Sequence, residues 1–369
     1  MRATALATVL ALTPASLAAQ TYVVDLHNGP GTNFTSIAAA VAAVPSGAVL
    51  DVRPGDYGHF TITGKSLTVL CQPGVRAYDL FGPLVNIDSI PAGDTVLVRG
   101  IGISAISVVG IIRCTNSTGT IVLDSCRGDL TASGIGGRLE ITNCASVYLR
   151  DSSFHSNLYL SLSAQIDRSN VAMTGCSFVN PSATVIAASQ SRLDFAGTTV
   201  TAGLVAPTIA LHQSHLDVRA GCTLTASLVN GAIAGGSGTV DLDPAATLVN
   251  APAQPFSPGI GVVTAALPRT DVIPGPPGGN ANGTLSGPGS IGVLLLGAPG
   301  APTAIPGIAH PSWLVPGTEI PLALGALPLT GGYAVPNAPW VQAVTLAWQG
   351  AALGPGAVLA SNPVACGHY

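Results

Sequence analysis

Charge is scarce in this 369-residue chain. Charged residues make up 8% of it, and Lys65 is its only lysine. An average globular protein is roughly 25% charged. The formal net charge is only −4, so electrostatics gives no reason to expect a nucleic acid or an anionic membrane surface as a partner.

Long apolar runs are also missing beyond the N-terminus. No later run reaches the roughly 20 residues that a membrane-spanning helix needs, so no transmembrane segment is predicted. Residues 1–19 combine Arg2, an apolar stretch and small residues at Ser16, Ala18 and Ala19. This pattern predicts a secretory signal peptide that is cleaved after Ala18 or Ala19. We therefore expect an exported, extracellular or cell-surface protein.

The seven cysteines cannot all pair within one chain, because their number is odd. No CxxC pair and no Cys/His cluster has the spacing of a zinc site. Cys126 and Cys176 occupy the same position two repeats apart, which is roughly 9–10 Å at normal strand spacing and too far for a disulfide. We interpret them as small side chains that fill a turn. Cys114, Cys126 and Cys144 leave room for one bridge.

What the chain does contain is a repeat. A six-residue block recurs at steps of 29, 25, 26, 24, 22, 23 and 24 residues, as SLTVLC, TVLVRG, TIVLDS, SVYLRD, NVAMTG, RLDFAG, HLDVRA and TVDLDP from Ser66 to Pro244. One short strand per repeat is typical of a solenoid. The second and fourth residues of the blocks are apolar, as in Val96/Val98, Ile121/Leu123 and Leu193/Phe195. That period of two predicts strands with one buried face. The repeats predict an all-β solenoid.

The repeats are flanked by segments of different character. Phe34, Ile37, Val41 and Val44 recur at helical spacing, with Thr32 or Asn33 as the cap and Pro45 as the stop. We expect this helix to cover the first edge of the solenoid. The predicted organisation is a signal peptide at 1–19, a capped β-helix at 20–250, a Pro/Gly-rich linker at 251–289 and a small all-β, sandwich-like C-terminal module at 290–369.

The opening of the repeat region resembles a known superfamily. Phe34-Thr35-Ser36-Ile37, Gly47 and Val52-Arg53-Pro54-Gly55-Asp56-Tyr57, followed by Gly64-Lys65-Ser66-Leu67, look like the N-terminal coil of the pectin lyase-like superfamily. The resemblance implies a right-handed parallel β-helix. The layout and the ending VTLAWQGAALGPGAVLASNPV are similar to exported β-helix proteins of planctomycete-type bacteria. In that ending module Trp313, Trp340 and Trp348 could form a sugar-stacking surface, although core positions are the more common use.

Positions three and five of each block are predicted to point outward. Position five begins with Arg99, Asp124 and Arg150, whose alternating signs favour cross-strand pairing, and we expect a solvated charge ladder there. Position three ends with Asp194, Asp217 and Asp241. Aspartates on neighbouring strands repel one another, so we expect Arg219, on the same face, or a bound Ca²⁺ to offset them. His212 and His215 are nearby in the sequence.

Two functions fit these residues. The first, which the sequence favours, is a non-catalytic surface, adhesive or glycan-binding scaffold with a polysaccharide or a cell-surface component as its partner. The second is a polysaccharide lyase or other carbohydrate-active enzyme on an acidic polysaccharide, with Asp217, Arg219 and Asp241 as weak catalytic candidates beside Ca²⁺. The active-site patterns of polygalacturonases and pectin methylesterases are missing, and a single lysine leaves few candidate bases. A cleft beside the aspartates with more than one basic residue would favour the second function.

Overall fold

The computed structural model describes residues 19–79, 83–105, 110–128, 137–156, 162–203, 206–227, 231–250, 252, 254–354 and 356–369. The predicted signal peptide lies almost wholly outside these residues. Strands make up 58% of the structure and helices 4%. The chain forms a parallel β-helix of the right-handed type with about 9 turns, followed by a C-terminal sheet module. The predicted fold class is therefore confirmed.

Each coil of the β-helix contributes one strand to each of three parallel sheets. Sheet 1 contains the recurring blocks: β2 Ala48–Val52, β5 Leu67–Cys71, β8 Thr95–Arg99, β11 Thr120–Asp124, β14 Ser146–Arg150, β17 Asn170–Thr174, β20 Arg192–Ala196 and β26 Ile260–Thr264, with β1 Thr21–Val24 at its first edge. Sheet 2 contains β3 Gly55–Tyr57, β6 Val75–Asp79, β9 Gly102–Ala105, β12 Arg127–Gly128, β15 Ser153–His155, β18 Ser177–Asn180, β21 Thr199–Ala202, β23 Thr223–Thr225 and β25 Thr247–Val249.

Sheet 3 completes the coils and joins sheet 1 near the C-terminal end. It contains β4 Phe60–Thr63, β7 Pro83–Asp88, β10 Gly110–Thr115, β13 Gly137–Thr142, β16 Ala164–Asp167 and β19 Ile186–Ser189. The long strands β22 Ile209–Val218 and β24 Ile233–Leu242 pair first within sheet 3 and then within sheet 1. Because β26 pairs with β24, the β-helix continues past residue 250, where the sequence predicts its end.

The core follows the predicted period of two. The second and fourth residues of the blocks are buried inside the coils, including Ile121, Leu123, Leu193 and Phe195. The sixth residue makes the corner to sheet 2, where the backbone has positive φ at Gly100, Ser125, Asp151, Gly175 and Gly197. Glycine and small polar residues tolerate this left-handed conformation, which explains why they recur there.

The N-terminal cap forms as predicted but begins at a different residue. Helix α1 spans Ile37–Ala43, and Ser36 rather than Thr32 or Asn33 is its N-cap, with its side chain accepting from Ala39 N. Asn33 instead accepts a hydrogen bond from Val23 N. At the other end, Lys65 donates to the carbonyls of Val41 and Val44. The only lysine of the chain therefore satisfies carbonyls that end the helix.

In the N-terminal motif that resembles the pectin lyase-like superfamily, Arg53 and Tyr57 stabilise the first coil. Arg53 donates to Asp25 Oδ2 at 2.9 Å and to the Pro30 carbonyl at 2.9 Å. Tyr57 donates to the Arg53 carbonyl at 2.9 Å and accepts from Leu26 N. These bonds fasten the segment before α1 to the first coil.

The C-terminal module is built mainly from antiparallel strands. These are β27 Arg269–Ile273, β28 Asn280–Ser286, β29 Ile291–Gly297, β30 Pro299–Thr303, β31 Ile308–Ala309, β32 Ser312–Leu314, β33 Ile320–Ala326, β34 Leu329–Ala334, β35 Thr345–Leu353, β36 Val358–Ala360 and β37 Val364–Gly367, with a 3-10 helix at Pro339–Ala343. Trp348 is buried in the core of this module. Since β26, β27 and β28 lie within residues 251–289, that segment is not simply a linker.

None of the seven cysteines is paired. Cys114, Cys126 and Cys144 are buried, and no bridge forms among them. Burial raises the pKa of Cys144 and of Cys222 to about 11. Such thiols stay protonated at neutral pH and are poor nucleophiles, which agrees with a space-filling role.

No helix among the described residues is both long enough and apolar enough to cross a bilayer.

Candidate functional site

The outward row of sheet 1 is covered by the C-terminal module. After Thr68 in the first block, position three carries four buried apolar residues, Leu97, Val122, Tyr148 and Ala172. They form a second hydrophobic cluster with Trp313, Leu314, Ala347 and Ala365 of the module. Position three does point away from the inside of the coils, as predicted, but this part of the row does not face solvent.

Tyr148 is the centre of this interface. Its ring meets that of Trp313 edge-on, with ring centroids 5.7 Å apart. Its hydroxyl lies 2.8 Å from the Gly300 carbonyl and 2.9 Å from the Trp313 carbonyl, and it accepts from Gly300 N at 3.2 Å. Burial raises the pKa of Tyr148, so the hydroxyl remains a donor. Trp313 and Trp348 are both fully buried, so the core interpretation holds and the three tryptophans do not form a sugar-stacking surface.

The charge ladder at position five is covered at Asp124 and Arg150, where the prediction that it is solvated is wrong, whereas Arg99 stays partly exposed. Asp124 is fully buried and accepts from Arg150 at 2.8 and 3.2 Å. The C-terminal Tyr369 donates to Asp124, accepts from Arg150 at 2.6 Å and lies 3.3 Å beneath the guanidinium of Arg99. Burial and the charge of Asp124 raise the pKa of Tyr369. The last residue of the chain therefore closes this end of the interface.

The three aspartates of position three are in register on adjacent strands, as predicted. Asp194 pairs with Asp217, and Asp217 pairs with Asp241. Arg219 donates to both oxygens of Asp194, at 2.8 and 2.6 Å, and also to the carbonyls of Pro268 and Ala360 in the C-terminal part of the chain. Arg219 is fully buried, so it cannot reach a substrate, and it holds both oxygens of Asp194.

Asp217 and Asp241 share two histidine neighbours, and Arg192 pairs only with Asp217 among the described residues. Asp217 Oδ1 lies 3.0 Å from His215 Nε2 and 3.2 Å from His310 Nδ1, and its Oδ2 accepts from Arg192 at 2.6 Å. Asp241 Oδ2 lies 3.7 Å from His215 Nε2 and 3.9 Å from His310 Nδ1. Burial alone would raise the pKa of Asp217, but its bonds to His215 and His310 and the charge of Arg192 hold that pKa well below the usual range.

An open cleft reaches this cluster. It has a volume of roughly 520 Å³ and is lined on the β-helix side by Asn170, Arg192, His215 and Asp241, and on the module side by residues that include Ile308 and His310. The cleft holds three basic side chains, Arg192, His215 and His310. This arrangement favours the second predicted function, although the catalytic candidate Arg219 lies outside the cleft.

A second cleft lies at the corner between sheets 1 and 2, away from the aspartates. It has a volume of roughly 640 Å³ and is lined by polar groups that include Gln72, Ser104 and Ser125 and by three arginines, Arg76, Arg99 and Arg127. Arg76 and Arg127 both pair in register with Gly102 on the strand between them. A Cβ atom at Gly102 would lie 3.4 Å from Arg76 Cγ. Glycine therefore leaves a slot between the two arginines.

Sequence reasoning missed several residues that form these sites. His310 and Tyr369 belong to the module, and no repeat pattern links them to the aspartates or to Asp124. Arg192 was not selected, although it is the first residue of the block that contains Asp194. The apolar residues at position three, an outward position, were the one available signal that something covers this face.

The chain matches no protein-family model, no curated protein and no solved structure. The geometry of the described residues must therefore support any functional assignment.

Proposed function

We propose that the protein is an exported β-helix scaffold that binds an acidic polysaccharide at the corner cleft. Export follows from the signal peptide expected at residues 1–19, and the resemblance to the pectin lyase-like superfamily supports a carbohydrate ligand. The face of sheet 1 is not available as a groove, because the C-terminal module occupies most of it and its buried charges are used in ion pairs. A long ligand must therefore bind elsewhere on the coils.

The observation that carries the proposal is the row Arg76–Gly102–Arg127. The two arginines stand two coils apart, which is about 9–10 Å at normal strand spacing. Arg76 is already paired with Asp56 at 2.7 Å, and it keeps more than half of its side-chain surface exposed. Arg127 is exposed and makes no ion pair among the described residues. Guanidinium groups bind carboxylates in a two-pronged geometry, so the two arginines offer sites for two carboxylates of one uronate chain.

A carbohydrate-active enzyme remains the second candidate, because of the cleft that holds Arg192, His215 and His310. A lyase needs a base that removes a proton beside a neutralised carboxylate. The histidines could supply the base, and Arg192 could help to neutralise the uronate. In this structure, however, Arg192 is paired with Asp217, so the uronate would have to compete with that carboxylate.

Binding of uronate oligomers tests the proposal. We expect wild-type protein to bind polygalacturonate or alginate oligomers, to lose affinity as salt rises, and to ignore a neutral glucan. Arg127→Gln should weaken binding by about tenfold, the scale of one hydrogen bond to a charged group. Arg168→Gln is the matched control, since Arg168 is also an exposed arginine, whose ion pair within the described part of the chain is with its sequence neighbour Asp167. Equal affinity of the two variants, or no uronate binding by the wild type, would refute the proposal.

The same samples separate the two candidates. A lyase would release unsaturated uronate products, which absorb in the ultraviolet, and that activity should fall in His215→Ala and not in Arg127→Gln. A scaffold binds the oligomers and leaves their length unchanged.

A further inference from the structure

The β-helix and the C-terminal module together bring four metal-binding side chains into one cluster. His215, Asp217 and Asp241 come from β22 and β24 of the β-helix, and His310 follows β31 of the module. One ligand atom from each of the four lies within 4.8 Å of all the others. We propose that these residues bind one divalent transition metal ion, for which Zn²⁺ is the best fit, and that the ion fastens the module to the β-helix.

The distances suit a small tetrahedral ion. Zn²⁺ bonds to nitrogen and oxygen at about 2.0–2.2 Å, which places the ligand atoms of a tetrahedron about 3.3–3.6 Å apart. The four histidine–aspartate separations in the cluster are 3.0, 3.2, 3.7 and 3.9 Å. These four separations lie within a few tenths of an ångström of that range, and the histidine–histidine and aspartate–aspartate separations are within 4.8 Å.

The donor set selects the kind of metal. Ca²⁺ binds oxygen ligands and takes six to eight of them, whereas two imidazole nitrogens and two carboxylates suit Zn²⁺ and its transition-metal neighbours. This differs from the calcium site predicted at the three aspartates, because Asp194 is occupied by Arg219. Calcium binding at those aspartates stays a prediction that the zinc experiment also tests.

The surrounding residues hold the ligands in place. His215 Nδ1 lies 2.7 Å from Thr239 Oγ1, which leaves Nε2 facing the carboxylates. Arg192 holds the second oxygen of Asp217. Partners of this kind orient metal ligands and tune their affinity. With neutral histidines, the two aspartates and Arg192 carry a net charge of −1, so a divalent cation is electrostatically favoured.

The site can be reached from solvent. His215 and Asp241 keep about a quarter of their side-chain surface exposed, at 26% and 24%, and His310 keeps 9%. All three line the open cleft of roughly 520 Å³. An ion can therefore enter after folding, and the cleft side leaves room for an additional water or ligand.

Metal content and titration test the inference, which does not depend on the glycan proposal. Protein stripped with a chelator and dialysed should bind one Zn²⁺ per chain by titration calorimetry, and Zn²⁺ should raise its melting temperature. Ca²⁺ and Mg²⁺ at the same concentration should do neither. Stripped protein loaded with Co²⁺ should show the visible absorption of a tetrahedral site.

Three variants locate the ion. His310→Ala should abolish Zn²⁺ binding and the melting shift, whereas His212→Ala, which changes an exposed histidine outside the cluster, should leave both unchanged. Thr239→Val keeps all four ligands and should weaken Zn²⁺ binding by about 10–100-fold. If His310→Ala fails to fold, Thr239→Val still tests whether these residues bind Zn²⁺.

Two results would overturn the inference. One is wild-type protein that binds no Zn²⁺, so that the cluster is a set of histidine–aspartate ion pairs only. The other is Zn²⁺ binding that survives in both His310→Ala and Thr239→Val, because the ion would then lie elsewhere.

Discussion

Buried charges on the outer side of sheet 1 are paired between adjacent coils. Arg150 lies on the strand next to that of Asp124, and Arg219 directly follows the strand next to that of Asp194. Burial alone would lower the pKa of Arg219, but the charge of Asp194 and the hydrogen bonds between the two side chains raise that pKa. Both carboxylates are almost completely buried, so each pair is stable only while both partners are present.

Removing Asp194 should therefore be costly. Asp194→Ala leaves the guanidinium of Arg219 buried without its carboxylate, and breaking such a pair typically costs about 3–5 kcal/mol of unfolding free energy. Asp167→Ala is the control, because the Asp167–Arg168 pair is more exposed and pairs of that kind are worth at most about 1 kcal/mol. Denaturant unfolding measures both. Similar losses for the two variants would show that Asp194 faces solvent after all.

At the scale of elements, the last strand and the residues after it connect the two parts of the molecule. Strand β37 pairs with β35, and Tyr369 reaches Asp124 on β11. Next to it, His368 Nδ1 lies 3.1 Å from the Gly275 carbonyl, and its Nε2 lies 2.6 Å from the Tyr333 hydroxyl. A neutral imidazole that carries its proton on Nδ1 satisfies both contacts, donating to Gly275 and accepting from Tyr333.

Acid should loosen this end of the module. Burial lowers the pKa of His368 below its ordinary value of 6.5. The unfolded chain therefore binds this proton at a higher pH than the folded chain does. The stability that His368 contributes should be present above pH 6.5 and lost as pH falls through the lowered pKa. His368→Gln should make the melting temperature depend less on pH between about 7 and 5. His59→Gln, at an exposed site, should leave that dependence unchanged. Parallel curves for wild type and His368→Gln would contradict this.

The sequence predicts some elements well and others poorly, for physical reasons. Apolar residues at every second position, such as Ile121 and Leu123, identify the inward side of a strand, because successive side chains of a strand point to opposite faces. The same alternation makes Val122 an outward residue but cannot tell what lies against it. The contacts of Val122 with the module arise from tertiary packing between segments far apart in the chain. His310 and Tyr369 could not be predicted as site residues for the same reason.

At the scale of the whole molecule, the β-helix and the module share a hydrophobic interface while each keeps its own core. Arg219 and Arg269 extend the contact, since Arg269 donates to the Ala220 carbonyl at 2.8 Å and lies against Gly221. A Cβ atom at Gly221, where φ is +78°, would lie 2.2 Å from Nη1 of the Arg269 guanidinium. The prediction of a Pro/Gly-rich linker at 251–289 does not anticipate this interface, because Pro- and Gly-rich composition does not exclude strands.

Thiol labelling of two outward positions tests the covered face most directly. Val122 points outward from sheet 1 and is fully buried, whereas Thr61 points outward from sheet 3 and is exposed. In the native state, Thr61→Cys should gain one maleimide adduct over the wild type by mass spectrometry. Val122→Cys should gain none until the protein is unfolded. Labelling of native Val122→Cys as fast as that of Thr61→Cys would contradict the docking of the module on the β-helix.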